Sequence, residues 1–596
     1  MPTTINAAAV RAVLDDARSL NPRRRLTPSP EDWRDCWIYF LLVDRFNNPL
    51  APPRSAFDAK FGGFQGGTIE GMRQQLDYLQ QLGVGAIWFS PVLKNCQFLD
   101  GQANIGTYHG YGIQNFMDID ARFATPVQDA AAELRRFVDA AHDRGIYVIF
   151  DIVLNHTGDV FAYASGSTAA FSATPYDPVR WRDALGLARA EWSVAEDIAD
   201  PPADATVFPT ELRRNEFFRR QGVARAGGPE TIGDFSSLKQ LLTADHELGN
   251  VLIKAFHYLI AAYDIDGLRI DTLKYLDQDF ALRFGNAQRE FALSIGKKNF
   301  FTYGEVYDDE QKISQYIGRH VSASGDMVGV DASLDFPLFF RLPGVIKGLL
   351  APSAVVDMYQ VRKEVERDIV SSHGEATRFF VTFLDNHDQQ ARFYFSAAGA
   401  PQRFDDQLSM GVACLFALPG IPCLYYGTEQ GLHGSGDSDQ NVREALWGKA
   451  NAFDTQHPFF TVIQRLARLR REQPALRYGR FYFRPLSGNG TDFGISPYAG
   501  GVLAFSRVLD EQELLIVANT HTAAGFTGEV VVDVHLSPAP QRLQILYSNK
   551  AAPVAPTPVR ATGPVRIHEV DRSTSAGPAC VVGVTLGPME IQILGK

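Results

Sequence analysis

Short apolar runs alternate with longer amphipathic segments over most of the chain. From residue 33 onward the apolar runs lie at 37–46, 85–92, 146–155, 266–273, 300–306, 328–336, 379–386 and 421–427. Segments with helical spacing separate them, and two of these, 72–83 and 131–145, end in glycine. Buried strands that alternate with helices are typical of a parallel sheet covered by helices. Eight such strands predict an α/β fold, the eight-stranded (β/α)8 or TIM barrel.

The spacing changes at two places, and each change predicts a separate domain. About 110 residues separate the third and fourth runs, far more than a helical connection needs, so we predict an inserted domain at 156–235. The barrel then comprises 33–155 and 236–474. Short β-rich runs without intervening helices predict an antiparallel β-sandwich at 475–596.

The first 32 residues precede the barrel and are predicted to form an N-terminal extension. Residues 5–20 have helical spacing and are followed by Asn21-Pro22, which should end the helix. We interpret the run Arg23–Arg25 as a solvated linker, because three arginines are too few for a nucleic-acid site.

Charge and hydropathy exclude two classes of partner. The 57 Lys and Arg against 68 Asp and Glu give a net charge of −11, which opposes binding to nucleic acid or anionic membranes. The longest uncharged stretch, 407–428, is long enough to span a bilayer but contains Pro419, Gly420, Pro422 and Gly427. We therefore predict a buried helix and a buried strand there, with no membrane or nucleic-acid partner.

The cysteines indicate a reducing compartment. Five cysteines without a C-x-x-C spacing cannot form a disulfide framework in a chain of 596 residues. Asp15, Asp16 and Arg18 interrupt the apolar stretch that a signal peptide would need. We expect free thiols and a cytoplasmic location.

Charged side chains gather at the predicted carboxyl ends of the strands, where barrels of this kind place their active sites. The third, fourth, fifth and seventh strands end in carboxylates beside His or Arg: Asp151, Asn155 and His156; Arg269, Asp271 and Lys274; Glu305; Asp385, His387 and Asp388. Two carboxyl groups about 5 Å apart can cleave a glycosidic bond with retention of configuration. Such a pair needs one protonated acid, which crowding of like charges favours.

The neighbours of these carboxylates suit the same chemistry. Arg269 precedes Asp271 by two residues on one strand, so both side chains project to the same face. A guanidinium there would keep a nucleophilic carboxylate ionised. The imidazoles of His156 and His387 can donate hydrogen bonds to sugar hydroxyls.

Four segments resemble the conserved regions of the α-amylase family, glycoside hydrolase family 13. They are DIVLNH (151–156), GLRID (267–271), YGEVY (303–307) and FLDNHD (383–388), in the family's order and each at a predicted strand end. The segments 108–125, 424–431 and 233–238 also resemble family motifs, so the resemblance covers about residues 33–596. It implies the family's fold, in which the insertion is domain B and the β-sandwich is domain C.

The resemblance also implies roles for individual residues. Asp271 would be the nucleophile, Glu305 the general acid/base, and Asp388 the residue that holds the distorted sugar. The implied substrate-binding residues are Tyr111, which would stack on the sugar, His156, Arg269 and His387 around it, Lys274 on the leaving-group side, and Arg392 toward a non-reducing-end sugar. In the Tyr111 loop the family's frequent tryptophan is replaced by Gly112, which removes bulk beside the cleavage site.

Cofactors and metals follow from the resemblance only in part. Many family members bind calcium between the barrel and domain B, and Asn155 and Asp234 match or approach the usual ligands. Calcium requires six to eight oxygens, and the remaining ligands cannot be named from the sequence. We therefore expect no required cofactor and no assigned metal ligand, with a structural calcium left open.

Three functions remain distinct at this point. The first is a retaining hydrolase of α-glucans or malto-oligosaccharides, and the second is a glucosyltransferase or isomerase of the same family. The third is a sugar-binding protein without activity, which would have lost one of the three carboxylates; all three are present. Bond type, endo or exo action and oligomeric state stay open. The aromatic residues of the insertion are either sugar platforms or a small core: Tyr163, Tyr176, Trp181 and Trp192.

Overall fold

Eight parallel strands form a barrel in the computed structural model, which describes residues 2–19, 26–103, 106–125, 129–224, 232–322, 325–367, 369–395, 404–550 and 555–596. We number the barrel strands in chain order: β1 (Ile38–Leu41), β2 (Ala86–Phe89), β3 (Tyr147–Val153), β4 (Gly267–Asp271), β5 (Phe301–Gly304), β6 (Ala332–Ser333), β7 (Val381–Thr382) and β8 (Ile421–Tyr425). Hydrogen-bonded pairing follows chain order, and β8 also pairs with β1. A parallel bridge between Leu334 and Val381 joins β6 to β7 and closes the barrel.

The predicted TIM barrel is therefore confirmed, although two strands are shorter than their apolar runs. The run 328–336 contributes only β6, and the run 379–386 contributes only β7. Beyond β7 the chain leaves the sheet to form the loop that carries Asp385 and Asp388. Apolar character marks burial in both regions, but it does not distinguish a strand from a buried loop.

Helices cover the outside of the barrel. Their bounds are Val43–Phe46, Ile69–Gln74, Leu76–Leu82, Ala130–His142, His246–Tyr263, Gln278–Ser294, Glu310–Ile313, Phe336–Phe339, Leu342–Ile346, Ser353–Glu366, Asp405–Ala417, Pro458–Glu472 and Ala475–Tyr478. The 407–428 stretch forms a buried helix and β8, as predicted. None of the helices within the described ranges combines the length and apolar character that crossing a membrane requires.

Aromatic rings fill much of the barrel interior beneath the carboxyl ends of the strands. Phe40 stacks on Trp88 with ring centroids 3.7 Å apart, and it also stacks on Tyr425 at 5.4 Å. Tyr303 meets Trp88 edge-on at 5.9 Å. These rings come from β1, β2, β5 and β8, so they provide a rigid floor for the polar groups above them.

The insertion after β3 folds around its own aromatic cluster. Trp181 and Phe218 pack on Phe161 with centroid distances of 5.4 and 5.5 Å, and Tyr163 is also buried there. Trp181 and Tyr163 are therefore core residues of domain B and not sugar platforms. The insertion also pairs with the loop after β2, through a bridge between Asn115 and Phe208.

Short strands outside the barrel complete this region and decorate the barrel loops. Their bounds are Leu93–Asn95, Phe98–Leu99, Gln102–Ala103, Ile113–Ile119, His156–Thr157, Phe161–Ala162, Arg180–Trp181, Lys239–Gln240, Arg319–Ser322, Gly325–Val328, Val370–Ser371 and Gly374–Glu375. The pair His156–Thr157 and Lys239–Gln240 lies at the base of domain B, where the insertion leaves the barrel and returns to it.

The C-terminal region is an antiparallel β-sandwich. Its strands are Arg480–Phe483, Leu486–Ser487, Asp492–Phe493, Val502–Leu509, Gln512–Asn519, Phe526–Val532, Arg542–Ser548, Thr557–Ala561, Val565–His568, Thr574–Gly577, Cys580–Leu586 and Glu590–Gly595. Alternate apolar residues from both halves of the main sheet, such as Val517 and Val582, form one buried core between them. This arrangement confirms the predicted antiparallel domain.

The N-terminal helix Ala8–Arg18 packs against the barrel helix His246–Tyr263 and buries Val10 and Leu14. The triple arginine 23–25 lies outside the described residues. Further along, the Thr27 backbone N–H donates to Asp264 Oδ2 at 2.9 Å, at the end of the barrel opposite the carboxyl ends of the strands.

A buried ion cluster anchors the extension there. The His142 ring contacts Asp266 Oδ2 through Nε2 at 2.8 Å, and Lys297 Nζ lies 2.6 Å from Asp264 and 2.7 Å from Asp266. Burial alone would lower the pKa of His142, but its hydrogen bonds to Asp264 and Asp266 outweigh that effect and raise the pKa to about 9. The charged imidazolium therefore contributes to folding stability.

This cluster predicts a pH-dependent loss of stability for His142→Gln. The pKa of His142 in the folded protein lies above the unfolded value of about 6.5, so its stabilisation is complete below that pH and disappears as the pH rises toward 9. We expect the variant to lose about 2 kcal/mol of unfolding free energy at pH 6 and little at pH 9.5. Urea unfolding at both pH values measures this. The exposed His535→Gln serves as control, and an equal loss at both pH values would contradict the prediction.

Candidate active site

Strands β3, β4 and β5 bring three carboxylates to one guanidinium. In the β3–β4 ladder Asp151 lies directly beside Arg269, and Glu305 follows the end of β5. Arg269 Nη1 donates to Asp151 Oδ1 at 2.8 Å and to Asp271 Oδ1 at 2.9 Å, while Nη2 donates to Glu305 Oε2 at 2.5 Å. Asp271 and Glu305 therefore lie within reach of the same planar group.

Arg269 is almost completely buried and also packs over the Trp88 ring, with its guanidinium carbon 5.2 Å from the ring centroid. A guanidinium forms planar, directional hydrogen bonds that a lysine ammonium cannot reproduce. One positive charge is thus shared among three carboxyl groups, so this site retains protons more readily than isolated carboxylates would.

The electrostatic balance is visible at Asp271. Burial raises the pKa of Asp271 well above its ordinary value; Arg269 opposes this shift, and the nearby Glu305, Asp151 and Asp388 reinforce it. Asp151 behaves similarly, since burial outweighs Arg269 and raises its pKa to about 6. The cluster is therefore poised to gain or lose a proton near neutral pH.

Asp151 positions the aromatic wall of the site. Its Oδ2 accepts hydrogen bonds from Trp88 Nε1 at 3.0 Å and from the Tyr111 hydroxyl at 2.9 Å. The Tyr111 oxygen lies 2.8 Å from His387 Nε2, and the two rings are nearly parallel with centroids 5.5 Å apart. Tyr111 remains partly exposed, consistent with a sugar-stacking surface.

The histidines of the site are neutral. Burial and the neighbouring Arg443 and Arg269 lower the pKa of His387 well below its usual range, and burial lowers the pKa of His156 to about 4. His156 packs edge-on against Phe235 at 5.6 Å, and its Nε2 has no hydrogen-bond partner among the described residues. Both rings therefore act as hydrogen-bonding groups and not as cations.

Asp388 is held by Arg443, a residue that the sequence pattern did not predict for the site. Arg443 Nη2 donates to Asp388 Oδ1 at 3.0 Å, its Nε donates to the His387 carbonyl at 2.9 Å, and its Nη1 donates to the Tyr108 hydroxyl at 3.0 Å. Asp439, four residues earlier, pairs with the same Nη2 at 2.6 Å. The side chain of Asp388 is 46% exposed, so it faces the open cleft while Arg443 fixes its backbone and one oxygen.

The prediction that Arg392 binds substrate is wrong. Its guanidinium is 1% exposed and donates to Glu444 Oε2 at 2.9 Å, the Tyr426 carbonyl at 2.8 Å and the Val442 carbonyl at 3.0 Å. All three nitrogens are therefore occupied inside the protein. Arg392 instead supports the loop that presents Arg443 to the cleft.

A pocket of about 310 Å³ opens beside Glu305. Lys274 lines it, with Nζ donating to the Tyr307 carbonyl at 3.0 Å. The other lining residues are Phe235, Thr272, Tyr275 and Tyr307. Thr272 adopts φ 50°, which is strained for a β-branched residue and turns the chain sharply after Asp271.

The model of the α-amylase catalytic domain matches residues 40–451, which is more than half of the chain. The chain belongs to the α-amylase family. Among its relatives, the α-amylase of Streptomyces lividans is 28% identical over 460 residues, an alignment that covers 70% of this chain and 48% of that protein. The chain thus spans about half the length of that relative.

Solved structures of the family share the fold. The α-amylase of Geobacillus thermoleovorans, solved with acarbose, is 22% identical, with 95% of this chain and 99% of that chain covered and a TM-score of 0.62. The γ-CGTase of an alkalophilic Bacillus clarkii is 22% identical, with 95% and 71% covered and a TM-score of 0.65. These likenesses agree with the barrel and the antiparallel C-terminal domain.

The carboxylate cluster predicts the acid side of the pH profile. The family resemblance implies that Asp271 is the nucleophile, which must be ionised to act. Because the pKa of Asp271 is raised, we expect kcat/KM on a malto-oligosaccharide to fall at a pH well above about 3.9, the ordinary pKa of an aspartate. Asp151→Asn removes one negative charge near Asp271, so Arg269 is shared between two carboxyl groups instead of three. We expect the pKa of Asp271 to fall and the acidic limb to move about one unit lower.

Initial rates between pH 4 and 8, a range of about four units, test this shift. Asp151→Asn also weakens the contacts to Trp88 and Tyr111, so the midpoint of the acidic limb is the informative quantity and not the absolute rate. An acidic limb that stays in place or moves to higher pH would refute the role assigned to Asp151.

Arg443 predicts a second effect on turnover. Arg443→Lys keeps the charge but cannot bridge Asp388, the His387 carbonyl and Tyr108 together. We expect kcat/KM to fall about 100-fold through misplacement of Asp388, with an unchanged circular dichroism spectrum. Tyr108→Phe is the matched control, because it removes only one of the three partners and should cost less than about threefold. Equal losses in both variants would contradict this assignment.

Proposed function

We propose that this protein is a retaining glycoside hydrolase that cleaves α-glucosidic bonds of α-glucans or malto-oligosaccharides. One observation carries the proposal: Arg269 holds Asp271 and Glu305 by the same guanidinium, and Asp388 faces them across the cleft beside Tyr111. Two carboxyl groups that share one guanidinium lie close together, and a short separation favours the double-displacement route over direct attack by water.

In the first step Asp271 attacks the anomeric carbon of the sugar. Asp271 Oδ1 is held by Arg269, so the other oxygen, Oδ2, forms the new C–O bond as the glycosidic C–O bond breaks. Glu305 Oε2 accepts from Arg269 and from the Thr272 N–H at 3.3 Å, which leaves Oε1 to give its proton to the departing glycosidic oxygen. The products are a glycosyl-Asp271 ester, an ionised Glu305 and a free sugar hydroxyl.

In the second step a water replaces the released sugar. Ionised Glu305 takes one proton from the water, whose oxygen attacks the anomeric carbon and displaces Asp271 as a carboxylate. Asp388, oriented by Arg443, accepts hydrogen bonds from the ring hydroxyls, and these bonds strengthen as the sugar approaches an oxocarbenium ion. Two inversions at the same carbon give net retention.

The substrate is proposed to be a neutral α-linked oligosaccharide or polysaccharide. Arg269 is engaged by carboxylates and Arg443 by Asp388 and Asp439, so the described part of the cleft has no arginine reserved for an anionic substrate. We propose a cytoplasmic location, supported by five free cysteines, of which Cys36, Cys414, Cys423 and Cys580 are buried. No cofactor takes part in the proposed steps.

Transfer to a sugar acceptor is the second candidate. The pocket beside Glu305 is lined by Phe235, Tyr275 and Tyr307, and Tyr307 is 51% exposed, so an acceptor sugar could stack there in place of water. The structurally similar Bacillus clarkii protein is a CGTase. Mass spectrometry of products from maltotriose distinguishes the two: shorter products at low substrate support hydrolysis, and dominant longer products support transfer.

Stereochemistry tests the main proposal. Proton NMR in the first minutes of the reaction should show the α-anomer of the new reducing end before mutarotation, because retention requires two displacements. A β-anomer appearing first would refute the double-displacement route. This experiment does not depend on which α-glucan is the natural substrate, provided that one is cleaved.

Two variants assign the roles. Asp271→Asn should lower kcat by about 10⁴-fold on every substrate, since no nucleophile remains. Glu305→Gln should lose similar activity on malto-oligosaccharides, but kcat/KM for fluoride release from α-glucosyl fluoride, which reports the first step alone, should fall much less, because fluoride leaves without protonation. The exposed Asp77→Asn is the control and should retain full activity. A fluoride reaction as impaired as the oligosaccharide reaction would contradict the assignment of Glu305 as acid.

A further inference from the structure

A completely buried lysine lies where domain B joins the barrel. Lys239 has no solvent exposure and belongs to the short strand Lys239–Gln240, which pairs with His156–Thr157 directly after β3. A buried lysine requires compensating charge, since an isolated ammonium in the protein interior is very unfavourable. The proposed reaction does not use Lys239.

Two aspartates and two aromatic rings surround the ammonium. Lys239 Nζ lies 3.5 Å from Asp159 Oδ1 and 3.5 Å from Asp234 Oδ2, and it donates to the Ser167 carbonyl. It also lies 4.6 Å from the Tyr163 ring centroid and 5.1 Å from that of Phe161. These groups come from both ends of domain B, so Lys239 ties its first and last segments together.

The charges of this cluster cancel. Asp234 accepts a hydrogen bond from the Tyr163 hydroxyl at 2.6 Å and one from the Gln240 N–H at 3.0 Å. Asp159 accepts from Arg182 Nη2 at 3.3 Å, and Arg182 is itself buried. Two buried carboxylates are therefore matched by one ammonium and one guanidinium, although the guanidinium also contacts the exposed Asp100 Oδ1 at 2.7 Å. Burial lowers the pKa of Lys239, and Asp159 and Asp234 counteract that effect.

This cluster lies between the barrel and domain B, where the family resemblance implies a calcium site in many members. Of the two candidate ligands, Asn155 fits, because its buried Oδ1 has no hydrogen-bond partner in the described part of the chain. Asp234 does not fit, because its oxygens face a hydroxyl, an amide and the Lys239 ammonium. Calcium requires six to eight oxygens. Across the described ranges no group of three or more His, Cys, Asp or Glu is placed to hold a metal ion.

A divalent cation is also unfavourable there on electrostatic grounds. It would add two positive charges to a buried cluster whose two carboxylates, Asp159 and Asp234, already face Lys239 and Arg182. The residues present therefore do not fit a structural calcium ion. They fit a site in which the cation is part of the polypeptide.

We infer that Lys239 holds the barrel–domain B junction in place of calcium, so that this protein needs no calcium to keep domain B folded. The ammonium is covalently attached to the strand that closes the insertion, and it cannot dissociate when free calcium falls. Stability of the junction should consequently be independent of calcium concentration and of chelators.

The wild-type protein provides the first test. Its thermal unfolding midpoint should stay within about 1 °C between millimolar EGTA and millimolar calcium chloride. After dialysis against a calcium-free buffer, elemental analysis should find far less than one calcium per chain. A midpoint that falls in EGTA, or stoichiometric calcium that survives dialysis, would overturn the inference. Neither measurement depends on catalytic activity, so this test is separate from that of the proposed reaction.

Removing the ammonium provides the second test. Lys239→Met keeps the aliphatic length but leaves Asp159 and Asp234 without their shared cation. We expect a midpoint about 5 °C lower and proteolysis within residues 156–235 at least about tenfold faster. Wild-type stability and protease resistance in this variant would overturn the inference.

Two further variants make the result specific. Lys297→Met also removes a buried lysine from between two aspartates, Asp264 and Asp266, but at the opposite end of the barrel. It should lower the midpoint without selective cleavage in 156–235; the same cleavage pattern in both variants would refute the local role.

If Lys239→Met does not fold, Lys239→Arg keeps the charge and should remain folded and insensitive to EGTA, whereas a new dependence on calcium would refute the inference.

Discussion

One buried guanidinium, that of Arg269, determines how the active centre is arranged. Its two terminal nitrogens contact Asp151, Asp271 and Glu305, which come from three adjacent strands. A buried charge is tolerated only when it is paired and hydrogen-bonded, so the barrel must close with these three strand ends at a common height. Burial raises the pKa of Asp271, and the surplus of negative over positive charge in the same arrangement adds to that effect.

The sheet register provides that common height. Arg269 lies opposite Asp151 on β3 and opposite Tyr303 on β5, so inward-facing positions of the three strands share one layer. Aromatic rings fill the layer beneath, with Trp88 packed under the guanidinium and hydrogen-bonded to Asp151. The polar layer is therefore held by a rigid apolar floor, and Asp271 and Glu305 need no loop flexibility to reach their partners.

A second buried charge cluster performs an analogous task at the junction with domain B. There Lys239 lies between Asp159 and Asp234, as Arg269 lies between carboxylates in the cleft. The two clusters differ in net charge: the buried charges around Lys239 cancel, whereas those around Arg269 do not. A net charge of zero suits a structural contact, whose groups need not change their protonation. Surplus negative charge suits a site that must bind and release a proton.

The sequence alone predicted the barrel and the residues at its strand ends. Apolar runs that become buried strands, and side chains two residues apart that project to one face, are local properties that a sequence pattern can reveal. Asp271, Glu305 and Asp388 were found that way. Only the tertiary structure showed what the two arginines Arg392 and Arg443 contact. Arg392 is buried against Glu444, and Arg443 comes from a distant loop to reach Asp388. Contacts between loops depend on how the whole chain folds, and no local spacing encodes them.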